Sequence, residues 1–230
     1  SSQDTRISKT NPSTVYGSNG IVEWSIGLNY DDRLLFAFDL SNSLIVESII
    51  NNATLEFFEI GQTWIPSDAK AQLFKINTAW TQSTATWQYP WGVAGGDFNS
   101  TAYKSSEVIL PATSGNWIRM DATQALKSLM SESSNGYYSV GSKGFLVKGN
   151  LSTAGSYQVA MKEYTSDTSK RPRLVIEYSG TQFGAGAGYP YDQPPGWEVD
   201  VRQDKMKEDK LNIIRYSGQR VDFETDAVTI

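Results

Sequence analysis

The chain contains no cysteine and no histidine. Histidine is the side chain that titrates near neutral pH unaided, and cysteine is the strongest free nucleophile. Their absence excludes a Ser-His-Asp triad, a Cys-His dyad, a zinc site built on nitrogen and sulfur and an iron–sulfur cluster. It also excludes disulfides, which a chain of 230 residues does not need in order to bury a core. There is no basic run, and 25 acidic against 20 basic residues leave a net charge of −5, so nucleic acid is not an expected partner. No apolar stretch approaches the roughly 18 residues of a membrane span, so membrane insertion is not expected. No leader-like segment is read at the start, and Ser1 in place of Met fits a processed or a trimmed chain. What remains chemically open is carboxylate catalysis, oxygen-ligated Ca²⁺ or Mg²⁺, and binding through shape and aromatic surface.

Aromatic residues are plentiful at 12%, with seven Trp, and Ser and Thr are abundant beside them. This mixture is common in extracellular β-modules and particle-surface proteins. Asn52, Asn99 and Asn150 each head an Asn-x-Ser/Thr sequon. Composition alone explains their number, so they permit glycosylation without arguing for it.

Periodicity reads as strand after strand. Ile21 to Ile26 follows the turn-forming Tyr16-Gly17-Ser18-Asn19-Gly20. Arg33 to Asp39 is apolar on both faces, as a central sandwich strand would be. Ala53 to Glu59 places Ala53, Leu55 and Phe57 on one face. Ala71 to Asn77 places Leu73 and Lys75 opposite Phe74 and Ile76. Gly144 to Lys148, Tyr157 to Glu163 and Arg173 to Tyr178 complete the set. One segment breaks the rhythm. From Asp121 to Met130 the apolar Ala122, Ala125, Leu126, Leu129 and Met130 fall at helical spacing behind Asp121, a natural N-cap, and predict a short helix over one open end of the sandwich.

The composition changes near Thr181. Residues 180–197 are rich in Gly and Pro and read as a linker or wrapping arm. Gly184-Ala-Gly-Ala-Gly188 lacks the Lys-Ser/Thr of a phosphate loop, and flexibility is the better account. Residues 198–230 form a β-rich tail: a strand over Glu198 to Arg202, a charged stretch to Lys210, and a hairpin of Leu211 to Tyr216 with Arg220 to Thr225 across Ser217-Gly218. Two strands alone are marginal in water. The tail residues Leu211, Ile213, Val221, Phe223, Val228 and Ile230 therefore need a partner surface: the sandwich of residues 1–179, a neighbouring subunit, or sequence outside this chain.

A series of short motifs resembles one family. Asp4-Thr5-Arg6-Ile7 with Asn11-Pro12 and Tyr16-Gly17 opens it. Arg33-Leu34-Leu35-Phe36-Ala37-Phe38-Asp39-Leu40-Ser41 follows, then Ile49 to Leu55, Trp80 with Thr86-Trp87, Trp117 to Thr123 and Arg171-Pro172-Arg173-Leu174 to Tyr178. In this order and spacing, over about residues 4 to 178, they resemble the DNRLRE domain. That family includes the disaggregatase-related repeats of archaeal surface proteins and some alginate-binding modules. Ala122 stands where the family usually has Val. The resemblance implies a jelly-roll-like antiparallel β-sandwich used as an accessory module in secreted, cell-surface and phage proteins, and it brings no catalytic residues.

The resemblance implies that Trp80 and Trp87 are core positions, whereas Trp64, Tyr89, Trp91, Tyr137 and Tyr138 fall between strands and are the candidate sugar platforms. Asp31 and Asp97, with Asp32 and Asp39 nearby in sequence, are the oxygen donors available to a structural Ca²⁺, although nothing matches an EF-hand. No other cofactor is expected. A glycosidase carboxylate pair or a lyase has no supporting motif. The expectation is thus a non-enzymatic, extracellular component of a virion or cell-surface assembly whose partners are other protein subunits. The alternative is a module that binds polysaccharide.

Overall fold

In the central strand Arg33–Ala37, Leu34 and Phe36 point one way and Leu35 and Ala37 the other, and all four are buried. A strand apolar on both faces must be covered on both, and that requirement organises the molecule. The structure, a computed structural model, describes residues 2–27, 30–40, 50–63, 69–132, 143–150 and 155–178, and beyond these the backbone of three further strands, Trp197–Arg202, Ile213–Tyr216 and Gln219–Asp222.

In chain order the strands are β1 (Gln3–Ile7), β2 (Ile21–Gly27), β3 (Tyr30–Asp31), β4 (Arg33–Ala37), β5 (Ile50–Thr63), β6 (Lys70–Ile76), β7 (Val108–Ile109), β8 (Asn116–Asp121), β9 (Gly144–Asn150), β10 (Gly155–Ala160), β11 (Arg173–Tyr178), β12 (Trp197–Arg202), β13 (Ile213–Tyr216) and β14 (Gln219–Asp222), with one helix, α1 (Thr123–Ser131). One sheet has the order β1-β4-β9-β6-β7. The other runs β14-β13-β12-β11-β5-β10-β2-β3, with β8 also paired to β5. The pairings are antiparallel. The chain crosses repeatedly from sheet to sheet, giving an all-β sandwich of jelly-roll character with one short helix. The seven strands read between residues 21 and 178 are all present, and the tail strands extend the larger sheet from the β11 edge.

The inner core joins Leu34, Phe36, Leu73, Phe145 and Val147 of one sheet to Trp24, Leu55, Phe57, Met120, Tyr157, Leu174 and Ile176 of the other. Phe36 stacks on Phe57 at 5.4 Å, and Trp24 meets Phe57 edge-on at 6.1 Å. The outer face of the smaller sheet is buried too. Ile7, Leu35, Phe74, Ile76 and Leu146 lie under Trp80, Trp87 and Trp91 from the long segment after β6. Trp80 and Trp87 are thus core residues, as expected.

Helix α1 packs on β5 of one sheet and on β6 and β9 of the other, closing one end with Ala125, Leu126, Leu129 and Met130. The cap sits one residue later than the sequence suggests. Ala122 takes the cap position, and the Asp121 carboxylate accepts from the Thr123 N–H at 2.9 Å and hydroxyl at 2.6 Å. The Lys75 ammonium, buried on β6, donates to the Ser128 hydroxyl at 2.9 Å and to Glu132, fastening the last turn.

At the edge, β1 turns charge inward. Asp4 and Arg6 are in register with the core residues Phe36 and Leu34. Asp4 accepts from the Lys162 backbone N–H at 2.7 Å. Arg6 reaches the Glu23 carbonyl, lies 3.5 Å from Asp32 and sits over the Tyr16 ring. Inward-pointing charges are a device that closes a sheet edge to further strands.

Candidate functional site

The long strand β5 has two faces. Leu55 and Phe57 enter the core, while Glu56 and Phe58 point outward. In register, Glu56 lies between Arg119 of β8 and Arg173 of β11, and Phe58 lies beside Trp117 of β8. Residues paired directly across an antiparallel ladder share a face, so the strand register alone gathers five side chains on the outside of the larger sheet.

Their contacts are close. Arg119 Nε donates to Glu56 Oε1 at 2.7 Å and Arg173 Nε to Oε2 at 2.5 Å. The Arg173 guanidinium lies 4.2 Å from the centre of the Trp117 ring. Trp117 meets Phe58 edge-on at 5.3 Å, and the Lys170 ammonium lies 4.8 Å over Phe58. Glu56 is nearly covered, whereas the Arg119 side chain is 57% exposed. One carboxylate between two guanidinium groups leaves one positive charge in excess. Because Glu56 holds both Nε atoms, the Nη groups stay oriented and, among the described residues, make no hydrogen bond. A planar fork of this kind matches a carboxylate or sulfate, and the partly buried indole beside it leaves a sugar ring a limited apolar surface.

The aromatic candidates read from the sequence fare differently. Trp64, Tyr137 and Tyr138 lie outside the described residues. Tyr89 is 59% exposed at a loop tip. Trp91 requires correction. It is 7% exposed and packs in the outer core, with its indole N–H bonded to the Thr86 carbonyl at 2.8 Å. Its loop folds back on the sheet, so Trp91 presents almost no ring to a ligand.

The two carboxylates named as calcium candidates have partners within the protein. The Asp97 carboxylate accepts from the N–H groups of Gly92 and Val93 at 2.8 and 2.9 Å and from the Thr78 hydroxyl at 2.7 Å. Desolvation would raise its pKa, but these three bonds outweigh it and hold the group below the ordinary carboxylate value. The carboxylate is a loop brace. Asp31 pairs with Arg33 at 2.7 Å and lies 3.8 Å from Lys148. Neutral donors of its own loop thus hold Asp97 and cationic side chains hold Asp31, and among the described residues no cluster of three metal-ligating acids forms. Of the tail candidates, Ile213 lies on β13 and Val221 on β14, while Leu211, Phe223, Val228 and Ile230 lie outside the described residues.

No protein-family model matches the chain, and no curated protein matches it. No helix among the described residues is long and apolar enough to cross a membrane.

Residue spacing alone does not reveal the Glu56–Trp117 platform, because its members come from three strands that only the register brings together. A signal was present. Trp117, Arg119 and Asp121 alternate with Ile118 and Met120, which leaves a polar-aromatic row opposite an apolar one.

Proposed function

We propose that this chain is a non-catalytic structural and adhesive component of an extracellular assembly, a virion or a cell-surface layer. The observation that carries this reading is the continuation of the larger sheet beyond β11 through β12, β13 and β14, so that the sheet order ends on β14. A terminal strand offers backbone donors and acceptors to a strand from a neighbour. The opposite treatment of β1, whose inward charges discourage pairing, leaves the C-terminal side as the favoured place for it. Resemblance to the DNRLRE domain, an accessory module of surface proteins, points the same way. Light scattering after size exclusion tests it on the full chain and on a chain ending at Gly180. The full chain is expected to self-associate and the shortened one to stay monomeric; two monomers of equal stability would end the proposal.

A second reading is favoured by the outer platform. Trp117 flanked by the Arg119 and Arg173 guanidinium groups suits a polysaccharide that carries acid groups, with the ring on the indole and its carboxylate or sulfate on the Nη atoms. A glycan array followed by Trp117→Ala tests it. Absence of binding to any glycan removes this reading and leaves the assembly proposal standing.

A further inference from the structure

The three sequons stand in different structural settings. Asn52 lies within β5, in register with Glu177 of β11, and its carboxamide oxygen accepts from the Thr123 hydroxyl at 3.0 Å. Thr54 of the same sequon is paired on both sides, to Val175 of β11 and Asp121 of β8. That sequon is locked in the ladder. Asn150 ends β9 in register with Lys70, and the remainder of its sequon lies outside the described residues.

Asn99 is presented on a loop. The excursion is fixed at both ends on β6, by a bridge between Phe98 and Ile76 and another between Lys104 and Phe74. Phe98 also packs its ring on Phe74 at 4.8 Å. Between these anchors Ser100 and Thr101 are exposed. The Asn99 carboxamide oxygen accepts from the Thr101 N–H at 2.9 Å, the Thr101 hydroxyl at 3.0 Å and the Ala102 N–H at 2.9 Å. Three donors converging on one atom fix the orientation of the amide, since nitrogen could not accept them. The Nδ2 group therefore points away from the turn, and among the described residues it has no hydrogen-bond partner.

We propose that Asn99 is an acceptor for N-linked glycosylation of the folded chain. The co-substrate is a saccharide linked through its anomeric carbon to a polyprenyl phosphate or pyrophosphate. The Asn99 Nδ2 forms a bond to that carbon, the bond from the carbon to the phosphate oxygen breaks, the phosphate leaves with the electron pair, and Nδ2 loses one proton. The transfer needs an amide nitrogen that the fold does not hold, on a segment free of the ladder, and it needs the sequon hydroxyl within reach; Asn99, itself partly buried, and the exposed Thr101 supply both on their loop, whereas the Asn52 sequon is set in the ladder. This inference is independent of the adhesive reading.

The test uses the purified, folded chain with a single-subunit oligosaccharyltransferase that requires no acid before the sequon, a lipid-linked donor, and a peptide acceptor as positive control. Peptide mass mapping is expected to find the glycan on Asn99 and none on Asn52. Asn99→Gln and Thr101→Ala should abolish the Asn99 adduct, Thr101→Ser should retain it, and Asn52→Gln should change nothing. An unmodified Asn99 in the folded chain while the peptide control is glycosylated overturns the proposal. So does equal modification of Asn52, or modification of Asn99 only after unfolding.

Discussion

Arg173 donates its Nε–H to Glu56 Oε2 at 2.5 Å across the β5–β11 pair while its guanidinium covers Trp117. Glu56 holds Arg119 in the same way on its other side. Removing the shared carboxylate leaves two guanidinium groups facing each other. Glu56→Ala is expected to cost about 1–3 kcal/mol of stability. Arg173→Ala should cost more than Arg119→Ala, because the Arg173 side chain is 17% exposed and that of Arg119 57%. Urea midpoints of the three variants check the order, and a larger loss for Arg119→Ala would contradict it.

Trp91 and Trp117 separate packing from binding. Trp91→Ala empties a site in the outer core and should lower stability by about 3–5 kcal/mol. Trp117→Ala should destabilise less, yet weaken retention on an acidic glycan about tenfold, equivalent to about 1.4 kcal/mol. Affinity electrophoresis beside thermal melts distinguishes the two. Equal retention of wild type and Trp117→Ala would remove the platform from consideration.

The buried Asp4 gives the stability a pH dependence. Desolvation raises its pKa from 3.8 to about 7, opposed by the Lys162 backbone hydrogen bond and by the charges of Lys162 and Arg171, and reinforced by Glu163. Between those two values the folded chain keeps a proton that the unfolded chain has released. Stability is therefore greatest below pH 4 as far as Asp4 is concerned, and it falls as the pH rises through 7. At 1.36 kcal/mol per unit the full fall is about 4 kcal/mol. Asp32 and Glu59, both raised by desolvation, act in the same direction. Asp4→Asn should flatten the profile without abolishing it. Denaturation midpoints at pH 5 and pH 8 measure this, and a steeper profile in the variant would refute the assignment.

Asp97 should behave as a brace and not as a metal ligand. Asp97→Ala removes three hydrogen bonds from the segment between β6 and β7 and should cost about 1–3 kcal/mol. Neither added Ca²⁺ nor a chelator should shift the melting temperature of the wild-type chain. A rise with Ca²⁺ would reinstate an oxygen-ligated site.

Much of the architecture was legible in the residues. The unbroken apolar run in Arg33 to Asp39 announced a strand covered on both faces, and the spacing of Ala125, Leu126 and Leu129 announced a helix. Both are local patterns, set by the period of the backbone and the need to bury apolar surface. The resemblance, and not a period, placed Trp80 and Trp87 inside. The position of Trp91 could not be read, because a loop aromatic has no period to show which way its segment folds.

Sequence by itself determined which chemistry is missing, roughly where seven strands and the helix lie, and which rows of side chains face inward. It did so because those properties depend on neighbours a few residues away. Tertiary structure alone decided that Glu56, Arg119 and Arg173 meet, since the two arginines lie 63 and 117 residues along the chain from Glu56 and only the β5 register aligns them. It also decided that Asp97 serves its own loop and that, of two otherwise similar sequons, that of Asn99 lies on a loop while that of Asn52 is held in a sheet. Those outcomes follow from how distant strands pair, and pairing at a distance is not encoded in any short stretch of chain.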